Sequence, residues 1–170
     1  KSMAFTGFDQ EALEKGSQNT QPLSISTDVQ NLSPRARGDA RRRELLDHLS
    51  TFGIHLTHNK GNNYRTPQNK LIGIAYASEV NPNRWFLGLP DEDYDLVVLI
   101  CERNQGDNII INNFTISKSL YDRYRHSLSI SKGQRKYNII YRRDNYYMIV
   151  PSEEPISMAN HINNYDEFHI

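Results

Sequence analysis

The chain has 170 residues, of which 37% are hydrophobic, with a mean hydropathy of -0.71 and twenty basic residues balanced by twenty acidic ones. That length suits one domain with one core, and no apolar run reaches the ~18 residues of a membrane span, so a membrane partner is not expected. One cysteine, Cys101, excludes an internal disulfide framework and a cysteine-rich zinc site and suits a reducing compartment, so a cytoplasmic location is expected.

The first residues, Lys1-Ser2-Met3-Ala4-Phe5, lead into no apolar stretch of signal-peptide length. A short helix is predicted over Asp9–Lys15, and residues 16–38, rich in Ser, Gln, Asn, Thr and Pro, read as an arm or linker. Residues 1–38 are therefore assigned to an N-terminal arm and 39–170 to the domain proper. Asp39 is the expected cap of a helix over Ala40–Thr51, with Leu45, Leu46, Leu49 and Phe52 at helical spacing and Gly53 as its stop. Arg41, Arg42 and Arg43 crowd its first turn, which the helix macrodipole disfavours unless an anion lies near.

After Gly53 the pattern turns to short extended runs: Ile54–Thr57, Lys70–Ser78, Arg84–Leu89, Tyr94–Cys101, Asn108–Asn112, Lys136–Arg142 and Tyr146–Val150. Turn-forming clusters such as Asn59–Asn63, Asn81–Asn83 and Asn104–Asp107 separate them. Leu96–Ile100 is continuously apolar, as in a strand buried on both faces. In Lys136–Arg142 the residues Tyr137, Ile139 and Tyr141 alternate with Lys136, Asn138, Ile140 and Arg142, so one face is expected to be wet. A second helix is predicted over Ile116–Ser127 and a short terminal one over Ile156–Ile162. The fold class that follows is α+β, a single domain with a mixed, mostly antiparallel sheet of five to seven short strands and two or three helices.

Charge is segregated along the chain. Residues 34–70 carry +5 and 115–143 carry +7, whereas 79–107 and 144–170 carry -5 each. Local potential, not net charge, attracts a polyanion. The second basic stretch interleaves Lys118, Arg123, Arg125, Lys132, Arg135, Lys136, Arg142 and Arg143 with Tyr121, Tyr124, Gln134 and Asn138. Cations suit phosphates, and amides, arginines and aromatic faces suit bases. A second cluster, Lys60, Asn62, Asn63, Tyr64 and Arg65 around Gly61, has the composition of a base-contacting loop. The structural alternatives are an ordinary basic helix and hairpin, with the tyrosines in the core, and a plain hairpin turn. Trp85 and Phe86 must point to opposite faces of one strand; with Phe86 inward, Trp85 and Arg84 flank a pocket for a flipped or modified base, and a core Trp85 is the alternative.

Pro90-Asp91, followed after ten residues by Glu102-Arg103-Asn104, resembles the divided carboxylate motif of the PD-(D/E)XK nuclease superfamily, with Asn104 where that family carries lysine. Order of elements resembles that superfamily loosely across 39–168. The resemblance implies a catalytically silent, nuclease-like or pseudobarrel DNA-reading module of a restriction-type defence system, acting with a separate catalytic domain or subunit and needing no cofactor. An active nuclease using Asp91, Asp95 and Glu102 with Mg2+ is one alternative, and a protein-interaction domain with exposed tyrosines is another. The histidines form no ligand set of metal-binding spacing, and no nucleophile elbow, P-loop or dinucleotide fingerprint occurs. The sequence carries no signal for an oligomeric state.

Overall fold

The computed structural model describes residues 27–170; the predicted helix at Asp9–Lys15 and most of the arm lie outside the described residues. After a 3-10 turn at Thr27–Asn31, helix α1 spans Pro34–Ser50, six residues earlier than Asp39 as a cap would allow. Ser33 is the cap, its Oγ accepting the Ala36 amide at 3.2 Å, and Pro34 occupies the first turn, where its missing N–H costs nothing.

Ten strands follow: β1 Thr57–Lys60, β2 Asn63–Arg65, β3 Leu71–Ser78, β4 Arg84–Pro90, β5 Leu96–Gln105, β6 Asn108–Ser117, β7 Ile130–Ser131, β8 Gln134–Arg142, β9 Asn145–Ile149 and β10 Ile156–Ser157. They divide between two mostly antiparallel sheets, giving one α+β domain. The first has the order β1-β2-β3-β5-β6, with β3 and β5 parallel; the second has the order β10-β9-β8-β4, with β7 beside β8. Turn chemistry carries several joins. Lys132 and Gly133, between β7 and β8, both have positive φ, as do Arg143 and Asp144 between β8 and β9, the geometry of tight hairpin turns.

Burial explains the layering. On β5, Leu96, Val98 and Ile100 pack with Leu45 and Leu49 of α1, whereas Val97, Leu99 and Cys101 pack with Trp85, Tyr137, Ile139 and Met148 of the second sheet. The continuous apolar run is thus a strand covered on both faces. The first sheet is the middle layer, with α1 on one side and the second sheet on the other. Gly73 on β3 permits a close approach in this core: a Cβ there would lie 2.6 Å from the Tyr94 ring. Tyr94 is fully buried and donates to Asn63 Oδ1 at 2.7 Å.

Several expected boundaries move. The strand expected at Ile54–Thr57 lies at Thr57–Lys60 and forms a hairpin with β2, so the Asn59–Asn63 separator is mostly strand. The helix expected over Ile116–Ser127 is shorter: β6 runs to Ser117, α2 spans Lys118–Tyr124, and a 3-10 turn covers Arg125–Ser127. Instead of a helix at Ile156–Ile162 there is β10, and residues 161–163 bond along the edge of β6 before a 3-10 turn at Tyr165–Phe168. No helix among the described residues is long and apolar enough to cross a membrane.

Candidate nucleic-acid interface

The arginines at the first turns of α1 are mostly internal. Arg41 is 2% exposed, and its Nε donates to Glu102 Oε1 at 2.8 Å, with a second ion pair to Glu44. Arg42 is also buried; its Nε donates to the Ile74 carbonyl at 2.8 Å and its Nη1 pairs with Asp39. Burial pulls the Arg42 guanidinium below its ordinary pKa. Of the three, Arg43 alone is exposed. The expectation that this trio faces a ligand is corrected: 3.6-residue periodicity turns Arg41 and Arg42 onto the sheet, where the carboxylate of β5 and a carbonyl of β3 receive them.

The second basic stretch is divided in the same way. Arg135 is 6% exposed and donates to Asp91 Oδ1 at 2.8 Å and to the Leu128 carbonyl at 3.3 Å. Arg125 pairs with Asp91 at 3.2 Å and Asp93 at 3.1 Å, and Lys118 pairs with Asp93 and Asp122, both at 3.4 Å. The acidic 91–95 turn therefore neutralises one end of the basic stretch. Hydrogen bonds from Arg135, reinforced by Arg125, hold the Asp91 carboxyl below the usual carboxylate range. Arg123 is exposed beside the Tyr124 ring.

In the loop cluster, Asn63 is buried under Tyr94, and Tyr64 is buried against α1 and the first sheet. Lys60 is exposed, Asn62 is half-buried, and Arg65 donates to the Asn69 carbonyl at 3.0 Å. Trp85 is also internal: it is 1% exposed, and its Nε1 donates to the Glu102 carbonyl at 2.9 Å. The pocket expected from Trp85 is corrected to one from its neighbour, because Phe86 is 58% exposed and lies outward with Arg84.

The nuclease-like carboxylates do not meet. Asp91 is held by Arg135 and Arg125, Asp95 Oδ2 accepts the Leu71 amide at 2.8 Å, and Glu102 is enclosed with Arg41. The strand from Leu96 to Glu102 alone spans about 20 Å at ~3.3 Å per residue. Among the described residues no group of three or more His, Cys, Asp or Glu side chains is placed to hold a metal ion.

What the strands do assemble is the outward face of the second sheet. Pairing sets Gly88 beside Lys136, Phe86 beside Asn138 and Ile149, Arg84 beside Ile140 and Tyr147, and Arg142 beside Asn145. The intervening residues Trp85, Leu87, Leu89, Tyr137, Ile139 and Met148 face the core. The outward set, with Gln134 at its end, holds three cations, two aromatic rings and three amides, and no carboxylate. Arg84, Lys136 and Arg142 form no ion pair among the described residues, and Arg142 lies 5.4 Å from the Tyr147 ring centroid. Gly88 leaves space over β4, and the Gln134 and Lys136 side chains lean into it. Lys132 and Arg143, both exposed, extend the positive charge onto the two hairpin turns. The period-two alternation seen in residues 136–142 was the signal for this face, and alternation likewise set Phe86 opposite Trp85 without giving the direction. Comparison with protein-family models, with curated proteins and with solved structures finds no match for this chain.

Proposed function

We propose that this chain is a DNA-binding recognition module whose contact surface is the outward face of the second sheet, rather than the basic segments 34–70 and 115–143 joined as one surface. The observation that supports this reading is the composition of that face: Arg84, Lys136 and Arg142, in no ion pair among the described residues, beside Phe86 and Tyr147, with Gln134, Asn138 and Asn145 between them and no acid. Phosphates take the cations, the amides offer donors and acceptors to base edges, and the rings give stacking platforms. An antiparallel sheet fixes the backbone spacing of these groups, so binding has to order side chains but no loop. The buried arginines Arg41 and Arg42 have a separate task, joining α1 to the first sheet.

Fluorescence anisotropy with labelled DNA, single-stranded and duplex, at several salt concentrations tests the proposal. The wild type should bind with log K falling linearly in log salt. A Lys136→Ala/Arg142→Ala variant should lower the magnitude of the slope by about 1.8 on duplex or about 1.4 on single strands, two phosphates being lost. Absence of salt-dependent binding to either DNA, or an unchanged slope in the variant, overturns it.

A further inference from the structure

A cleft of about 550 Å3 opens at the corner where β3 gives way to β4, between the first turns of α1 and the β1–β2 turn. That volume lies in the range of about 300–1,000 Å3 usual for small-ligand sites. Phe86 and Val80, 58% and 83% exposed, contribute to its apolar surface with Pro34 and Ala77. A large aromatic left this open on a strand whose alternate residues are almost wholly buried is poor packing for the protein alone and good packing for a planar ligand.

Cations outnumber carboxylates in the lining. Arg35 and Arg84 are exposed and form no ion pair among the described residues. Asp39 is the one carboxylate among the lining residues, and it is paired with Arg42 at 3.3 Å. Asn62, half-buried, also lines the cleft, and its side chain makes no hydrogen bond to any described residue. Tyr76, by contrast, is occupied: its hydroxyl accepts from Arg37 Nε at 3.0 Å and donates to Glu102 Oε1 at 2.9 Å, which fixes the cleft floor.

Arg84 and Phe86 belong both to this cleft and to the sheet face, so a strand lying on the sheet passes its mouth. We infer that the cleft receives one unpaired nucleotide of the bound DNA, its base stacked on Phe86 and its flanking phosphates held by Arg84 and Arg35, with the Asn62 amide facing the base edge. This rests on the DNA-binding reading of the sheet and narrows it to a preference for sites where a base is free to leave the stack. Unpairing a base is costly, so the preference is for DNA in which that cost is already met.

The test compares three probes with the full chain: a matched duplex, the same duplex with one unpaired 2-aminopurine, and a single strand carrying 2-aminopurine. The bulged duplex should bind about 5- to 150-fold tighter than the matched one, the range for one stacked base. Its 2-aminopurine should be shielded from acrylamide quenching. Phe86→Ala should weaken the bulged duplex more than the matched one, bringing the preference to within about twofold, and should expose the fluorophore, and Phe86→Tyr should restore both. Because Phe86 is exposed, neither variant should shift thermal unfolding appreciably. Equal affinity for bulged and matched duplexes, or a preference that survives Phe86→Ala, overturns the nucleotide cleft while the sheet surface stands. Failure of every probe to bind overturns both.

Discussion

Arg41 on α1 and Glu102 on β5 form a 2.8 Å ion pair in which each residue is exposed by no more than 2%. The pair sits where four elements meet, because Tyr76 of β3 donates to the same carboxylate oxygen and Trp85 of β4 donates to the Glu102 carbonyl. Burial, with the Glu102 charge beside it, pushes the Tyr76 hydroxyl up. Charges this deep are retained only when paired, and deleting one leaves the other stranded. Arg41→Ala should therefore destabilise the fold by about 3–5 kcal/mol, read as a lower urea midpoint at unchanged m. A loss below ~1 kcal/mol would show that water reaches the pair.

Arg135 and Arg142 lie on the same strand and should behave in opposite ways. Arg135→Ala removes hydrogen bonds to Asp91 and the Leu128 carbonyl and should cost about 1–3 kcal/mol of stability. Arg142→Ala, at an exposed site, should stay within ~0.5 kcal/mol of wild type yet reduce the salt slope of duplex binding by about 0.9. Paired melting curves and salt titrations separate the two roles; a salt effect confined to Arg135→Ala would reverse the assignment.

At Gly73 the Tyr94 ring occupies the space of a side chain, with the nearest ring atom 2.6 Å from an ideal Cβ. Tyr94 cannot retreat without releasing Asn63 Oδ1. Gly73→Ala should cost roughly 1–3 kcal/mol through overpacking, despite the better strand propensity of alanine. A neutral or stabilised variant in calorimetry would mean that the ring moves freely.

Acid should weaken the fold in two windows. Burial lowers the His48 pKa, the ring lying edge-on to Phe52 and Tyr165. The unfolded chain then takes up that proton first, so stability is full above the ordinary value of 6.5 and falls as pH drops from there through the lower folded value. His48→Phe should flatten the decline below pH ~6.5 in pH-dependent unfolding. Asp91, held low by Arg135 and then Arg125, adds a second loss only below the ordinary carboxylate range, which Asp91→Asn should remove. An identical pH profile in His48→Phe would assign the first window to another group.

Local pattern was enough for much of this molecule. Leu96–Ile100 reads as a doubly covered strand because no polar residue interrupts it, and the alternation from Lys136 to Arg142 sorts core from surface because strand geometry sends neighbours to opposite faces. The α+β class follows from such runs. Alternation also requires that Trp85 and Phe86 diverge, but the direction is set by pairing of Trp85 with Ile139, which turns the indole inward and leaves Phe86 in the open.

Charge was the least local property. Arg41, Arg125 and Arg135 are spent on Glu102, Asp91 and Asp93, carboxylates from 32 to 61 positions away in the chain, and no count of cations along a segment shows which will be cancelled. The division into two sheets had the same origin: hydrogen bonding specifies that a strand needs partners, while the choice among them comes from how α1 and the second sheet compete for the two faces of β5. Sequence thus determined which residues are apolar, which runs extend and where turns fall, because those depend on neighbours in the chain. Tertiary packing decided which cations stay free, since a charge is neutralised by whatever the fold brings within a few ångströms.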